Sequence, residues 1–204
     1  MKSVFDLEWQ NVKTEYRIVA ALEKISAAFR VLLWKESKIN RLSPIQIQLL
    51  IFIKFQPRER ATVTHLAREF NMTKATVSDS VRVLEQKKLV VRKRRNADNR
   101  SFSLTLTASG EKIAKSSSLF ANALQVPVQV MEPEHKANFL NALLDIIHAL
   151  DESKVIATQR MCKTCCFFKP GKTQHYCGLI KQTLNVSDLR LDCPEHKTRI
   201  FSSS

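Results

Sequence analysis

All five cysteines of the chain, Cys162, Cys165, Cys166, Cys177 and Cys193, fall within its last 43 residues. Four of them run Cys162-x2-Cys165-x11-Cys177-x15-Cys193, with Cys166 spare and His175 and His196 close by. A C-x-x-C pair is a chelating knuckle, and four thiolates can close a tetrahedral zinc site at about 2.3 Å per sulfur. A zinc ribbon usually carries two such pairs, whereas this segment has one. An iron–sulfur cluster and free or redox-active thiols therefore stay open beside zinc. The chain opens MKSVFDLEWQ, without the charged-then-apolar form of a secretion signal, and a cytoplasmic location is expected. There, a cysteine cluster points to metal or redox chemistry rather than to disulfides. Beyond Phe167, Phe168, Tyr176, Leu179 and Ile180 the segment has little apolar material, and so small a module calls for a staple. Zn²⁺ held by Cys162, Cys165, Cys177 and Cys193 is the expected cofactor, with an iron–sulfur cluster as the alternative.

The second chemistry-bearing region is cationic. Of the net charge of +14, residues 54–100 carry +8, against +3 for residues 1–53, −3 for 101–153 and +6 for 154–204. A surplus concentrated in this way is the footprint expected of a polyanion-binding surface, most often for nucleic acid. Within it, Lys74, Ala75, Thr76, Ser78, Asp79 and Arg82 lie opposite the apolar Val77, Val81 and Leu84 if residues 74–87 are helical. These are small, polar, hydrogen-bonding side chains suited to base edges, with Ala75 offering contact to a thymine methyl. Arg82, one turn on, is placed at a phosphate. Arg92, Lys93, Arg94, Arg95 and Arg100 then surround a polar loop, suited to the DNA backbone or the minor groove.

These groups need a scaffold, and the sequence is patterned for helices. Apolar residues recur at steps of three and four from Phe5 through Trp9, Val12, Tyr16, Val19, Leu22, Ile25 and Phe29 to Leu32, predicting one helix of roughly eight turns over residues 5–34. So long a stripe exceeds what a small domain can cover, and part of it is expected to meet a second subunit. Ser43-Pro44 reads as N-cap and first residue of a second helix, apolar nearly all round and hence central, stopped by Pro57. Residues 63–70 and 74–87 form two coupled helices separated by a short turn, with Thr73 as the second N-cap. Residues 89–92 and 101–106 read as strands of a hairpin whose tip is basic. Thr107 caps a helix from 108 to about 124, broken near Pro127. A last helix after Glu132-Pro133 carries Phe139, Leu140, Leu143, Leu144, Ile146, Ile147 and Leu150. Helix-turn-helix followed by a cationic hairpin is a winged helix.

The stretch LAREFNMTKATVSDSVRVLEQKKLVVRKR, followed by Asp98-x-Arg100 and Leu106-Thr107-x-x-Gly110, resembles the winged-helix domain of MarR-type transcriptional regulators. The flanking long helices are similar to that family's dimerisation region, so the resemblance covers roughly residues 5–150. It implies a mainly α fold, with an N-terminal dimerisation helix (1–42), a winged helix-turn-helix (43–110) and C-terminal dimerisation helices (111–152), to which this chain adds a small cysteine-rich tail (153–204). It further implies that Asp98 braces an arginine of the wing. A small aromatic or phenolic effector near the dimer interface is implied too, although no residue here identifies one. Lys88 departs from the pattern, since relatives commonly have glycine at this turn; a left-handed residue there would cost about 1 kcal/mol. The tail lies outside the family pattern. Its one C-x-x-C pair with two lone cysteines is similar to the cluster loops of iron–sulfur DNA-repair enzymes.

Enzymatic readings find no support. None of the three glycines precedes Gly110, so a Gly-rich phosphate loop is absent from residues 1–109. No paired carboxylates, Ser-His-Asp or Cys-His arrangement stands out, and His65 reads as a surface or packing residue. No apolar run approaches the ~18 residues of a membrane span. The expected function is a homodimeric, sequence-specific regulator, a repressor reading a palindromic operator in double-stranded DNA. The alternatives are a non-specific architectural or repair-associated DNA binder and a metal- or redox-responsive regulator sensing through the tail. A thiol- or metal-handling protein whose winged helix serves protein contacts is a further reading.

Overall fold

The computed structural model describes residues 3–94, 102–171 and 174–199. The chain divides into two compact units, Met1–Leu66 with Ala75–Gln125, and Ala67–Lys74 with Val126–Ser204.

In the first unit the expected N-terminal helix is two helices, α1 (Leu7–Val12) and α2 (Thr14–Asn40). Between them Lys13 is extended (φ −123°, ψ 125°). The break falls at Lys13, flanked by Asn11, Val12 and Thr14, weak helix formers that the apolar stripe alone does not override. Beyond the break, α2 runs six residues past Trp34. The central helix α3 (Pro44–Phe55) starts as expected: Ser43 accepts from the Gln46 N–H, and the Gln46 side chain returns a bond to the Ser43 N–H, a complete capping box. Ile47, Leu49 and Leu50 are wholly buried, and α3 packs against α2 and against α6 (Ala108–Ser117).

Helices α4 (Val63–Glu69) and α5 (Lys74–Gln86) form the helix-turn-helix, and strands β1 (Val90–Arg94) and β2 (Phe102–Leu106) form the wing. The strands are antiparallel, with Val90 opposite Leu106 and Arg92 opposite Leu104. The wing is tied to its own unit by the Leu104 N–H bond to the Ala61 carbonyl, 2.7 Å. Between α2 and α6, Ser117 Oγ donates to Glu36 Oε2 (3.0 Å) and Asn40 Nδ2 donates to Ser117 Oγ (3.2 Å).

The scarcity of glycine has a structural consequence. Arg41, Asn71, Lys88 and Lys154 all adopt positive φ, between 50° and 58°. Each closes a helix: the following N–H bonds back to the carbonyl five residues earlier, as Leu89 does to Leu84 (2.9 Å), while Lys88 N–H bonds to Glu85 (2.9 Å). This is the double bond of a Schellman cap, here made without glycine. The expectation of a left-handed Lys88 holds.

Helix α6 ends at Ser117 in a 3-10 turn, earlier than expected. After it, α7 (Asn122–Gln129) carries Pro127 inside the helix rather than breaking there. Pro127 withholds the N–H that would meet the Ala123 carbonyl, and α7 ends two residues later.

In the second unit α8 (Pro133–Glu152) begins with Pro133 in the first turn. It packs against the turns at Cys162–Thr164 and Val186–Asp188. The tail adds a three-stranded antiparallel sheet, β3 (Phe168–Lys169), β4 (His175–Cys177) and β5 (Gln182–Leu184). Leu144, Met161, Cys165, Phe168, Leu184 and Leu189 make a small core. No helix among the described residues is long and apolar enough to cross a membrane.

Candidate nucleic-acid interface

Helix α5 is divided by burial along the lines of its sequence. Val77, Val81 and Leu84 are wholly buried, which fixes the rotation of the helix. Lys74, Ala75, Thr76, Asp79 and Arg82 are consequently exposed, and Ser78 is half-buried. The predicted reading residues therefore share one face and the N-terminal half of one helix. Arg82 and Asp79 form an ion pair along that face, at 2.9 Å with both side chains largely exposed. Such a pair is worth little in water, so either partner can exchange it for a nucleic-acid group at small cost.

At the wing, Val90 anchors β1 in the core while residues 91–94 are exposed. Arg92 and Arg94, two apart on a strand, point to one face. Arg92 is engaged within the protein: its Nε donates to Glu85 Oε1 of α5 at 2.9 Å. That bond holds the wing base against the helix. Arg94 is exposed at the end of β1. Arg95 and Arg100, and with them Asp98, lie outside the described residues.

Behind the wing, Thr107 explains the Leu-Thr-x-x-Gly signature. Its hydroxyl accepts from the Gly110 N–H at 3.1 Å and donates to the Lys88 carbonyl at 2.7 Å. A Cβ on Gly110 would stand 2.0 Å from the Leu89 carbonyl oxygen. Glycine is thus required where α6 crosses the start of β1.

Residues 42–101 match the model of the MarR family. The matched segment runs from the start of α3 to the wing, so this part of the chain is similar to the MarR family. Among solved structures, the MarR-type fold recurs in FabT of Streptococcus pneumoniae in complex with DNA: TM-score 0.57 and 25% identity over 67% of this chain and 96% of FabT. The Staphylococcus aureus MepR–DNA complex is similar as well, with TM-score 0.56 and 23% identity over 65% of this chain and 97% of MepR. No curated protein matches the chain. The family match takes in α3, α4, α5 and β1 and leaves β2 and the cysteine tail outside it.

Outside the region that matches the MarR family, the tail places its cysteines around one cavity and the core beside it. Cys162 and Cys165 bracket a 3-10 turn in which Cys165 N–H bonds to the Cys162 carbonyl (3.0 Å). Cys162, Cys177 and Cys193 line a cavity of about 360 Å³. Cys165 lies in the core, with Cys162 and Cys177 packed against it. Burial pushes the Cys162 thiol up; the Arg190 N–H lowers it, and the thiols of Cys193, Cys165 and Cys177 add to the rise. All five cysteines are free, and Cys166 is exposed. Among the described residues no three His, Cys, Asp or Glu side chains stand as an assembled metal-binding group.

Two contacts of the tail have no signature in the sequence. Lys163, inside the C-x-x-C pair, reaches α8: its Nζ bonds to Asn141 Oδ1 (3.0 Å) and to Asp145. Arg199 clamps the knuckle, donating to the carbonyls of Cys165 (3.1 Å) and Phe168. Partners 18 to 34 residues away leave no local pattern to read.

Proposed function

We propose that the chain is a transcription regulator that binds double-stranded DNA as a homodimer, reads a palindromic operator and represses by occupying it. The observation that carries this reading is α5. It has a buried apolar face and an exposed, polar, hydrogen-bonding N-terminal half, within a MarR-family winged helix whose strand is cationic. MepR and FabT, of similar fold, are DNA complexes. In this reading α5 enters the major groove, with Lys74, Thr76, Ser78 and Asp79 at base edges and Ala75 at a thymine methyl. Arg82 leaves Asp79 for a phosphate, and the wing, through Arg94, Arg95 and Arg100, lies on the backbone or in the minor groove.

Asp79 favours a sequence-specific reader over an architectural binder. A carboxylate facing DNA opposes binding everywhere except where it accepts a hydrogen bond, as from cytosine N4. Dimerisation is supported by the apolar side chains that α1 and α2 leave exposed, among them Leu7 (73%), Val12 (70%) and Ile25 (41%). On α8, Phe139, Ile146 and Leu150 are exposed as well. A cytoplasmic protein answering to a small aromatic or phenolic effector completes the reading, on the strength of the family resemblance.

Titration of a labelled duplex with the full-length protein at a series of salt concentrations tests it. Binding should weaken linearly in log–log form, with a slope of about −0.9 per neutralised phosphate. Absence of salt-dependent binding to any duplex would overturn the proposal.

A further inference from the structure

In the tail, Cys162, Cys177 and Cys193 line one cavity and Cys165 lies in the core beside it, each positioned by a different part of the fold. Cys162 and Cys165 are paired by their 3-10 turn, and Cys165 is held by an antiparallel bridge to Thr198. Cys177 is placed by strand register, opposite Phe168, and its neighbour Gly178 donates to the Phe167 carbonyl at 2.8 Å. Cys193 arrives from the far end of the chain, with its N–H on the Arg160 carbonyl at 2.8 Å. The segment leading to it is stitched to the knuckle in both directions. Cys162 N–H bonds to the Arg190 carbonyl (3.0 Å), and Arg190 N–H donates to Cys162 Sγ (3.2 Å). The fifth cysteine, Cys166, is exposed and sits with its N–H on the Lys197 carbonyl. The fold thus lines one cavity with Cys162, Cys177 and Cys193, keeps Cys165 in the adjoining core and leaves Cys166 out.

We propose that Cys162, Cys165, Cys177 and Cys193 close on a single Zn²⁺ as a tetrahedral four-thiolate centre that fixes the tail on α8. The proposal is independent of DNA binding. Zn²⁺ takes thiolates at about 2.3 Å, so the sulfurs contract from the places they hold here onto the ion. Binding releases any protons the four thiols carry, and no electron is transferred. The finished centre would carry a charge of −2, in a segment whose own surplus is +6 over residues 154–204. Arg190 lines the same cavity, as do the carboxylates of Asp188 and Glu195. The consequence reaches α8 through Lys163, which lies between two ligands and grips Asn141 and Asp145. Loading the ion would set the knuckle, and with it the grip on a helix that the proposed function assigns to dimerisation.

The test is metal content per chain of full-length protein purified without added metal, followed by Co²⁺ titration of the apo form. One zinc per chain is expected, and Co²⁺ should give the intense charge-transfer and visible bands of a tetrahedral S4 site. Cys193→Ser should lose the metal, whereas Cys166→Ser should retain it. Should Cys193→Ser fail to fold, mercurial titration of the unmodified protein replaces it, and zinc should leave as the buried Cys165 and the half-buried Cys162, Cys177 and Cys193 react, after the exposed Cys166. No retained metal, a Co²⁺ spectrum without thiolate bands, zinc lost with Cys166→Ser, or iron with acid-labile sulfide would each overturn the proposal.

Discussion

Thr76 and Arg94 are both exposed and polar, yet the account gives them different work, and their variants should differ in kind. Thr76→Ala removes a group placed at a base edge. It should relax preference at one or two base pairs, costing about 1–3 kcal/mol on the best site and little on random duplex. Arg94→Ala removes a groove or phosphate charge, and should weaken all duplexes alike while reducing the salt slope by about 1. Binding isotherms on specific and random duplex separate the two, and identical profiles would mean that α5 is not the reading helix. Lys88 allows a stability test away from the interface. Its φ of 56° strains any residue with a Cβ, and its side chain is exposed. Lys88→Gly should therefore raise stability by up to about 1 kcal/mol, after discounting the extra freedom of an unfolded glycine. Thermal unfolding measures it; an unchanged or lowered midpoint would contradict the strain.

At the scale of elements, what could be read in advance was whatever one stretch of chain decides for itself. The start of α3 needs Ser43, Pro44 and Gln46, which are neighbours, and the buried side of α5 needs the spacing of Val77, Val81 and Leu84. The arms of the wing were likewise legible, within two residues at each end. The break at Lys13 was not, because Trp9, Val12 and Tyr16 continue the stripe across it while the local propensity of residues 11–14 runs the other way. Nor was the helix across Pro127. The left-handed caps at Arg41 and Lys154 were hidden for another reason: glycine, the usual signal, is absent, and the Schellman bonds hold other residues in its place. Gly110 shows the reverse case. Its role rests on the Leu89 carbonyl, a residue distant in sequence. Gly110→Ala should force α6 off the start of β1 and cost roughly 1–3 kcal/mol. Chemical denaturation is the direct check, with wild-type stability as the contrary result.

At the scale of the molecule, the cysteine pattern announced that four thiols belong together but not which helix they serve. The link between the knuckle and α8 runs through Lys163 and the Leu144 core, and no motif encodes it. The dimer is the other whole-molecule claim. Ile25 is exposed on α2 and is expected to be covered by a second chain. Ile25→Glu should leave the fold intact and shift sedimentation from dimer towards monomer, with operator affinity falling sharply because two half-sites must be engaged together. A native protein that sediments as a monomer would remove the dimer from the account. The central claim, a dimeric reader of duplex sequence, is tested most directly by selection of random duplex DNA on the full-length protein at moderate salt. An enriched inverted repeat is expected, with half-sites about 10–10.5 base pairs apart, centre to centre, or a multiple of that. Salt-dependent binding with no enriched sequence would contradict it.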